Sequence, residues 1–116
     1  HLIHIGNLIG EGWLKLAKKH SLKLHITDFK PLIKMKLNYG ELNSALITLF
    51  TQEMLKRGYL AAESVYVSYS HSEKIVEEYL TNVDEVFQIL SSSVISGNVI
   101  EMLETNIRDE SFKRLN

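Results

Sequence analysis

The chain is expected to fold as an α+β domain: a two-layer sandwich with a three-stranded, mainly antiparallel sheet and helices packed on one face. Three observations lead there. Two short runs alternate apolar and basic residues, Leu22 to Thr27 and Leu32 to Leu37. Two longer runs carry apolar residues at helical spacing, Glu41 to Arg57 and Ser70 to Leu90. Finally, 116 residues of which 45% are apolar suit one domain with one core. A sheet that is apolar on one face and helices with one apolar side bury each other in two layers.

The elements follow in order. From Asn7 to His20, Ile9, Trp13, Leu16 and Ala17 recur at helical spacing, and Lys15, Lys18, Lys19 and His20 crowd the end, where cations suit the helix dipole. Gly10 and Gly12 weaken this helix by up to about 1 kcal/mol each relative to alanine. Leu22, Leu24 and Ile26 then oppose Lys23, His25 and Thr27. After the turn Asp28-Phe29-Lys30-Pro31, Ile33, Met35 and Leu37 oppose Lys34 and Lys36. Two such strands make an antiparallel hairpin with one solvated face.

The stripe Leu42, Ala45, Leu46, Leu49, Phe50 and Leu55 predicts an amphipathic helix over 41–57. It stops at Lys56-Arg57-Gly58, two cations followed by a glycine suited to a left-handed cap. Ser64 to Tyr69 predicts a third strand. Ser70 and Glu73 have capping-box spacing, with Ser72 as a competing N-cap. Ile75, Val76, Tyr79, Leu80, Val83, Val86, Phe87 and Leu90 then form one broad face, and Ser91-Ser92-Ser93 is expected to end that helix. A weaker helix is expected over 98–108, on Val99, Leu103 and Ile107, with a fraying tail over 109–116.

Charge is split along the chain. Residues 1–60 hold nine Lys/Arg against four Asp/Glu, and residues 61–116 hold four against ten. The basic half could face nucleic acid. No aromatic platform accompanies its lysines, so mixed-charge contact between the halves, or with another domain, is the expectation. There are no cysteines, which excludes disulfides and thiolate chemistry. No signal peptide is recognised and no apolar run is long enough to span a membrane, so a cytoplasmic protein with neither membrane nor nucleic-acid partner is expected.

Candidate chemistry is sparse. The phosphate-binding, dinucleotide, zinc-protease and serine-hydrolase motifs are absent. His1 and His4 have chelating spacing on a helix, but no carboxylate lies near them in sequence. His25 reads as a solvated strand residue, and His71 as part of a helix cap rather than a general base. Glu77, Glu78, Asp84 and Glu85 read as a solvated helix face rather than paired catalytic carboxylates. Arg57 has the chemistry to clamp a substrate carboxylate, but its position reads as helix capping. Arg108 and Arg114 fall in the weak tail. No catalytic, cofactor-binding or metal-binding residue is assigned.

A resemblance adds to this reading. Leu49-Phe50-Thr51-Gln52-Glu53-Met54-Leu55-Lys56-Arg57-Gly58-Tyr59-Leu60, then Tyr66-Val67-Ser68-Tyr69-Ser70-His71-Ser72, then Tyr79-Leu80 and Val83-Asp84-Glu85-Val86-Phe87 resemble the C-terminal part of class III pyridoxal-phosphate-dependent aminotransferases, in the glutamate-1-semialdehyde aminomutase branch. Ser70 and Ser72 replace the alanine and threonine of the family pattern. Gly6, Gly12-Trp13, Leu16-Ala17 and His20 resemble the helix that leads into the small domain. Glycine normally follows that histidine, and Ser21 stands there instead.

The resemblance covers roughly residues 5–90 and implies three parts. Residues 1–20 would be a helix leading in from a large domain, 21–95 the small C-terminal domain, and 96–116 a helical extension. It also implies that the catalytic lysine, the aspartate partnering the pyridine nitrogen and the phosphate loop belong to a large cofactor-binding domain outside this sequence. None of the six glycines is followed by lysine. The parent protein would be a homodimeric aminotransferase or aminomutase carrying pyridoxal phosphate. The contrasting expectation is a free-standing protein-binding or regulatory module without catalysis. A further expectation is that residues 1–13, with Ile3, Ile5, Leu8 and Ile9, pack poorly on their own domain or sit between chains, with Trp13 as the anchor to the core.

Overall fold

The computed structural model describes residues 2–29, 32–60, 64–66 and 72–104. The class is α+β, as expected. Helix α1 (Leu2–Lys19) leads into an antiparallel hairpin of β1 (Leu24–Phe29) and β2 (Leu32–Leu37). A single 3₁₀ turn, Gly40–Leu42, then opens helix α2 (Asn43–Lys56). A three-residue strand, β3 (Ser64–Tyr66), precedes the long helix α3 (Glu73–Ser96) and a closing 3₁₀ turn, Ile100–Met102.

The hairpin register sets Leu24 against Leu37, Ile26 against Met35 and Phe29 against Leu32. β3 runs antiparallel to Leu32–Lys34 only, so among the described residues the ladder is two-stranded along the rest of its length. Residues 67–69 of the expected third strand lie outside the described residues. Ile33, Met35 and Leu37 are buried, while Lys34, Lys36 and His25 are exposed on the other face. The helices thus cover one face of the sheet. α1 and α2 meet the hairpin, and α3 packs against both.

Helix α1 departs from expectation twice. It begins at Leu2 rather than Asn7, and its first half is core rather than poorly packed surface. Ile5, Ile9, Trp13 and Ala17, four residues apart along one stripe, are all buried, and Leu8 packs against the same core. Tertiary burial outweighs the weak propensity of the glycines. Ile3 alone of the named residues stays open, at 63% exposure. Trp13 is fully buried and is the anchor expected of it.

The ends of the helices explain the other differences. α2 stops as expected: Gly58 takes φ +93°, and Tyr59 N–H reaches back 3.0 Å to the Met54 carbonyl. α3 starts at Ser72, whose hydroxyl accepts from Ile75 N–H at 3.3 Å; Ser70 lies outside the described residues. The serine run does not end α3. Ser93 is buried, with its hydroxyl donating 2.9 Å to the Leu90 carbonyl, and the helix continues to Ser96. Gly97, at φ +73°, closes it, and the Ser93 carbonyl accepts from both Gly97 and Asn98. The expected helix over 98–108 is a single 3₁₀ turn over Ile100–Met102, beside buried Val99; residues 105–116, Ile107 included, lie outside the described residues.

At the end of α1, Leu22 N–H bonds the Ala17 carbonyl at 2.8 Å and Ser21 N–H bonds Lys18 at 3.2 Å. This pairing closes a helix through a left-handed residue, and Ser21 is that residue, at φ +58°. It is the only non-glycine with positive φ among the described residues. A side chain there costs about 1 kcal/mol relative to glycine. Ser21→Gly is therefore expected to stabilise the domain by about 0.5–1 kcal/mol, read as a rise of a few degrees in Tm.

Candidate functional site

The most constrained part of the molecule is the seam between α1 and α3. The two helices run in the same direction, since His4 meets Glu73, Gly12 and Trp13 meet Leu80 and Tyr79, and Lys19 and His20 meet Asp84. At the crossing, a Cβ on Gly12 would lie 2.4 Å from Leu80 Cδ1 and 3.2 Å from its Cγ. The Leu80 side chain thus occupies the space that glycine leaves open at position 12. Beside it, Trp13 Nε1–H donates to the Tyr79 hydroxyl at 3.0 Å, which satisfies a buried donor. The Tyr79 ring takes the Tyr59 ring edge-on, with centroids 5.4 Å apart.

Charged groups close both ends of the seam. His4 Nε2 and Glu73 Oε2 lie 2.8 Å apart at the exposed end. At the other end, Asp84 takes Lys19 Nζ at 2.9 Å and His20 Nε2 at 2.6 Å, and the His20 side chain is 9% exposed. The hydrogen bond from His20, then that from Lys19, hold the Asp84 carboxyl below its ordinary value of 3.8. Asp84 is thus a partly buried anchor rather than a member of a solvated acidic face.

A second network joins α2 to α3 and to the closing turn. Glu53 is buried, 9% exposed, which the sequence reading did not single out. Burial raises its carboxyl pKa, but hydrogen bonds from Gln52, Lys56 and Arg57 prevail and leave it below the usual carboxylate value. Arg57 donates to the Glu53 carbonyl at 3.0 Å, the capping role expected of it, and through Nε to Glu85 at 3.1 Å. Gln52 donates to the Met102 carbonyl at 3.1 Å and accepts from Glu104 N–H at 2.7 Å. Lys56 bonds both Glu53 and Glu104. The spacing Glu53-Lys56-Arg57 was the signal for this network: three and four residues apart on one helix face.

The remaining candidates do not converge. His25, Glu77 and Glu78 are exposed. His1, His71, Arg108 and Arg114 lie outside the described residues. Among the described residues, no three histidines or carboxylates are placed to hold a metal ion. A shallow depression of about 310 Å³ is lined by Gln88, Ile89, Ser92, Ser93, Ser96, Asn98 and Met102. It carries no titratable group, so it offers neither a base nor an anchor for a cofactor phosphate. No described helix is long and apolar enough to cross a membrane. No family model, curated protein or solved structure matches the chain.

Two outcomes test this geometry. Gly12→Ala is expected to show none of the gain of up to about 1 kcal/mol that alanine gives in a helix, and to recover it when Leu80 is also truncated to alanine. A double-mutant cycle in urea reads that coupling. Asp84→Asn is expected to lower stability at neutral pH by less than about 1 kcal/mol, because the pair is partly solvated. The Asp84 contribution is present above its unfolded value of 3.8 and is lost as pH falls through its lower folded value. The variant's acid unfolding curve should therefore be flatter in that range.

Proposed function

We propose that this chain is the small C-terminal domain of a pyridoxal-phosphate-dependent aminotransferase or aminomutase. The parent enzyme would move an amino group on an amino acid or semialdehyde-like substrate. In that reading the domain is a two-layer sandwich whose sheet has three antiparallel strands. A large domain outside this sequence holds the cofactor and supplies the catalytic lysine, and the parent is a homodimer.

The observation that carries the reading is the convergence of the resembling segments. Gly12-Trp13 and Tyr79-Leu80 are more than sixty residues apart in sequence, and they interlock at one crossing. Arg57 of the second segment pairs with Glu85 of the last, and Phe50 meets Phe87 at 5.8 Å between ring centroids. The segments that carry the resemblance are thus packed into one core. Ser21 supports the reading from one of its departures: it stands where the family pattern has glycine, and the backbone there is left-handed.

The depression lined by Gln88, Ile89, Ser92, Ser93, Ser96, Asn98 and Met102 offers no lysine, arginine or carboxylate. No chemical step is assigned to them. The cofactor would supply the electron sink for amino transfer, and this domain would shape and close the site around it.

The test has two arms. The natural gene product should have a mass near ~45–50 kDa, that of a two-domain chain, and should retain pyridoxal phosphate. The isolated 116-residue chain, incubated with pyridoxal phosphate and reduced, should carry no stoichiometric cofactor on a single lysine. A natural product of about 13 kDa, the mass of this chain, would overturn the reading in favour of a free-standing module.

A further inference from the structure

We infer that the β1 edge of the sheet is a docking site for an extended segment of a partner protein in which acidic and apolar residues alternate. β1 is an outer strand: it pairs with β2 on one side and with no described strand on the other. The pairing phase says which backbone groups are left over. Asn38 N–H bonds the Lys23 carbonyl at 2.9 Å, so residues 23, 25 and 27 turn their backbone groups towards β2. Leu24, Ile26 and Asp28 turn their N–H and C=O groups outward, spaced to receive one more strand.

The two faces beside that edge specify the incoming side chains. On the helix side, Leu24 and Ile26 are half-buried, whereas Ile33, Met35 and Leu37 of β2 are fully covered. The apolar layer is therefore incomplete at β1, and apolar residues on an added strand would extend it. On the open side, Lys23, His25, Lys34 and Lys36 share one face, with His25 directly opposite Lys36. No described carboxylate pairs with these lysines; Lys23 lies over the Tyr39 ring at 5.8 Å. Cationic residues held side by side on a sheet repel one another, and carboxylates on the same face of an added strand would relieve that.

The charge of the open face disfavours a second copy of the chain as the occupant. A second copy pairing through β1 would bring Lys23 and His25 of each chain together, like charge on like. Lysines on an edge strand do guard against such pairing, but Lys34 lies where β2 is flanked by both β1 and β3, and that role does not account for it. By register Phe29 and Tyr66 share the open face with Lys34, so an oligonucleotide, which needs stacking surfaces, is the competing occupant that the experiment measures.

The experiment uses the 116-residue chain and a peptide of alternating glutamate and valine as long as β1. Amide hydrogen exchange and NMR shifts report the contact. The peptide should bind, and the amides of Leu24, Ile26 and Asp28 should become protected. Reversing charge in Lys23→Glu/Lys36→Glu, with the fold checked by circular dichroism, should weaken binding about tenfold or more. The milder pair Lys23→Gln/Lys36→Gln should fall between. Absence of peptide binding would overturn the inference. So would binding without protection of those three amides, or equal or tighter binding of an oligothymidylate. The enzyme reading above can fail by the mass of the gene product without altering this outcome.

Discussion

The crossing of α1 and α3, where Trp13 meets Tyr79, ties the three helices together. A helix packed on another usually keeps its axis 8–10 Å away, because side chains fill the gap. Here Leu80 enters the space where a Cβ would be. Beside it the Trp13 indole donates to the Tyr79 hydroxyl, so a large aromatic is fully buried without stranding its N–H. Tyr79 in turn receives Tyr59, just past the end of α2. α3 is thereby fixed against α1 on one side and, through Phe87 and Phe50, against α2 on the other. The hairpin is covered by α1 and α2, so its position is inherited from the same crossing.

The charge imbalance along the chain becomes intelligible once the helices are placed. Lys19 and His20 meet Asp84, Lys56 meets Glu104, Arg57 meets Glu85 and His4 meets Glu73. In each of these long-range pairs the basic partner comes from residues 1–60 and the acidic one from 61–116. The two halves are complementary surfaces of one domain. Such pairs at the surface are individually worth about 0–1 kcal/mol, so they select the register of α3 rather than hold it in place. The holding is done by the buried stripe Ile5, Ile9, Trp13 and Ala17 against Val76, Tyr79 and Val83.

What could be seen in the sequence follows the range of the interactions. The hairpin was legible because alternation and a proline turn are local. The end of α2 was legible because Lys56-Arg57-Gly58 is a local stop. The start of α1 was not, since Gly6, Gly10 and Gly12 speak against a helix and only its packing overrides them. Nor was the end of α3: Ser93 resembles a break until its hydroxyl is seen bonded within the helix and buried. Asp84 looks like a solvent-facing acid when α3 is viewed alone, and becomes a partly buried anchor only when α1 brings Lys19 and His20. Glu53 was within reach of sequence reasoning, through its spacing to Lys56 and Arg57, but an acid inside an apolar stripe is easily passed over.

Departures from local rules locate what is special in a chain, and three stand out here. A glycine interrupts a helix at Gly12, and the Leu80 contact accounts for it. A serine occupies a left-handed turn at Ser21, where the close return of Leu22 to Ala17 demands that backbone whatever the side chain. The third is the run of cations on the open face of the hairpin, across both strands. The first two are explained within the domain: one by packing, one by chain reversal. The third has no internal partner among the described carboxylates. A domain that matches its halves so consistently has acids to spare on α3, at Glu77 and Glu78, and does not place them on the sheet. Among the described residues that charge lies open on the sheet face beside β1, and this is the feature on which the proposed acidic strand rests.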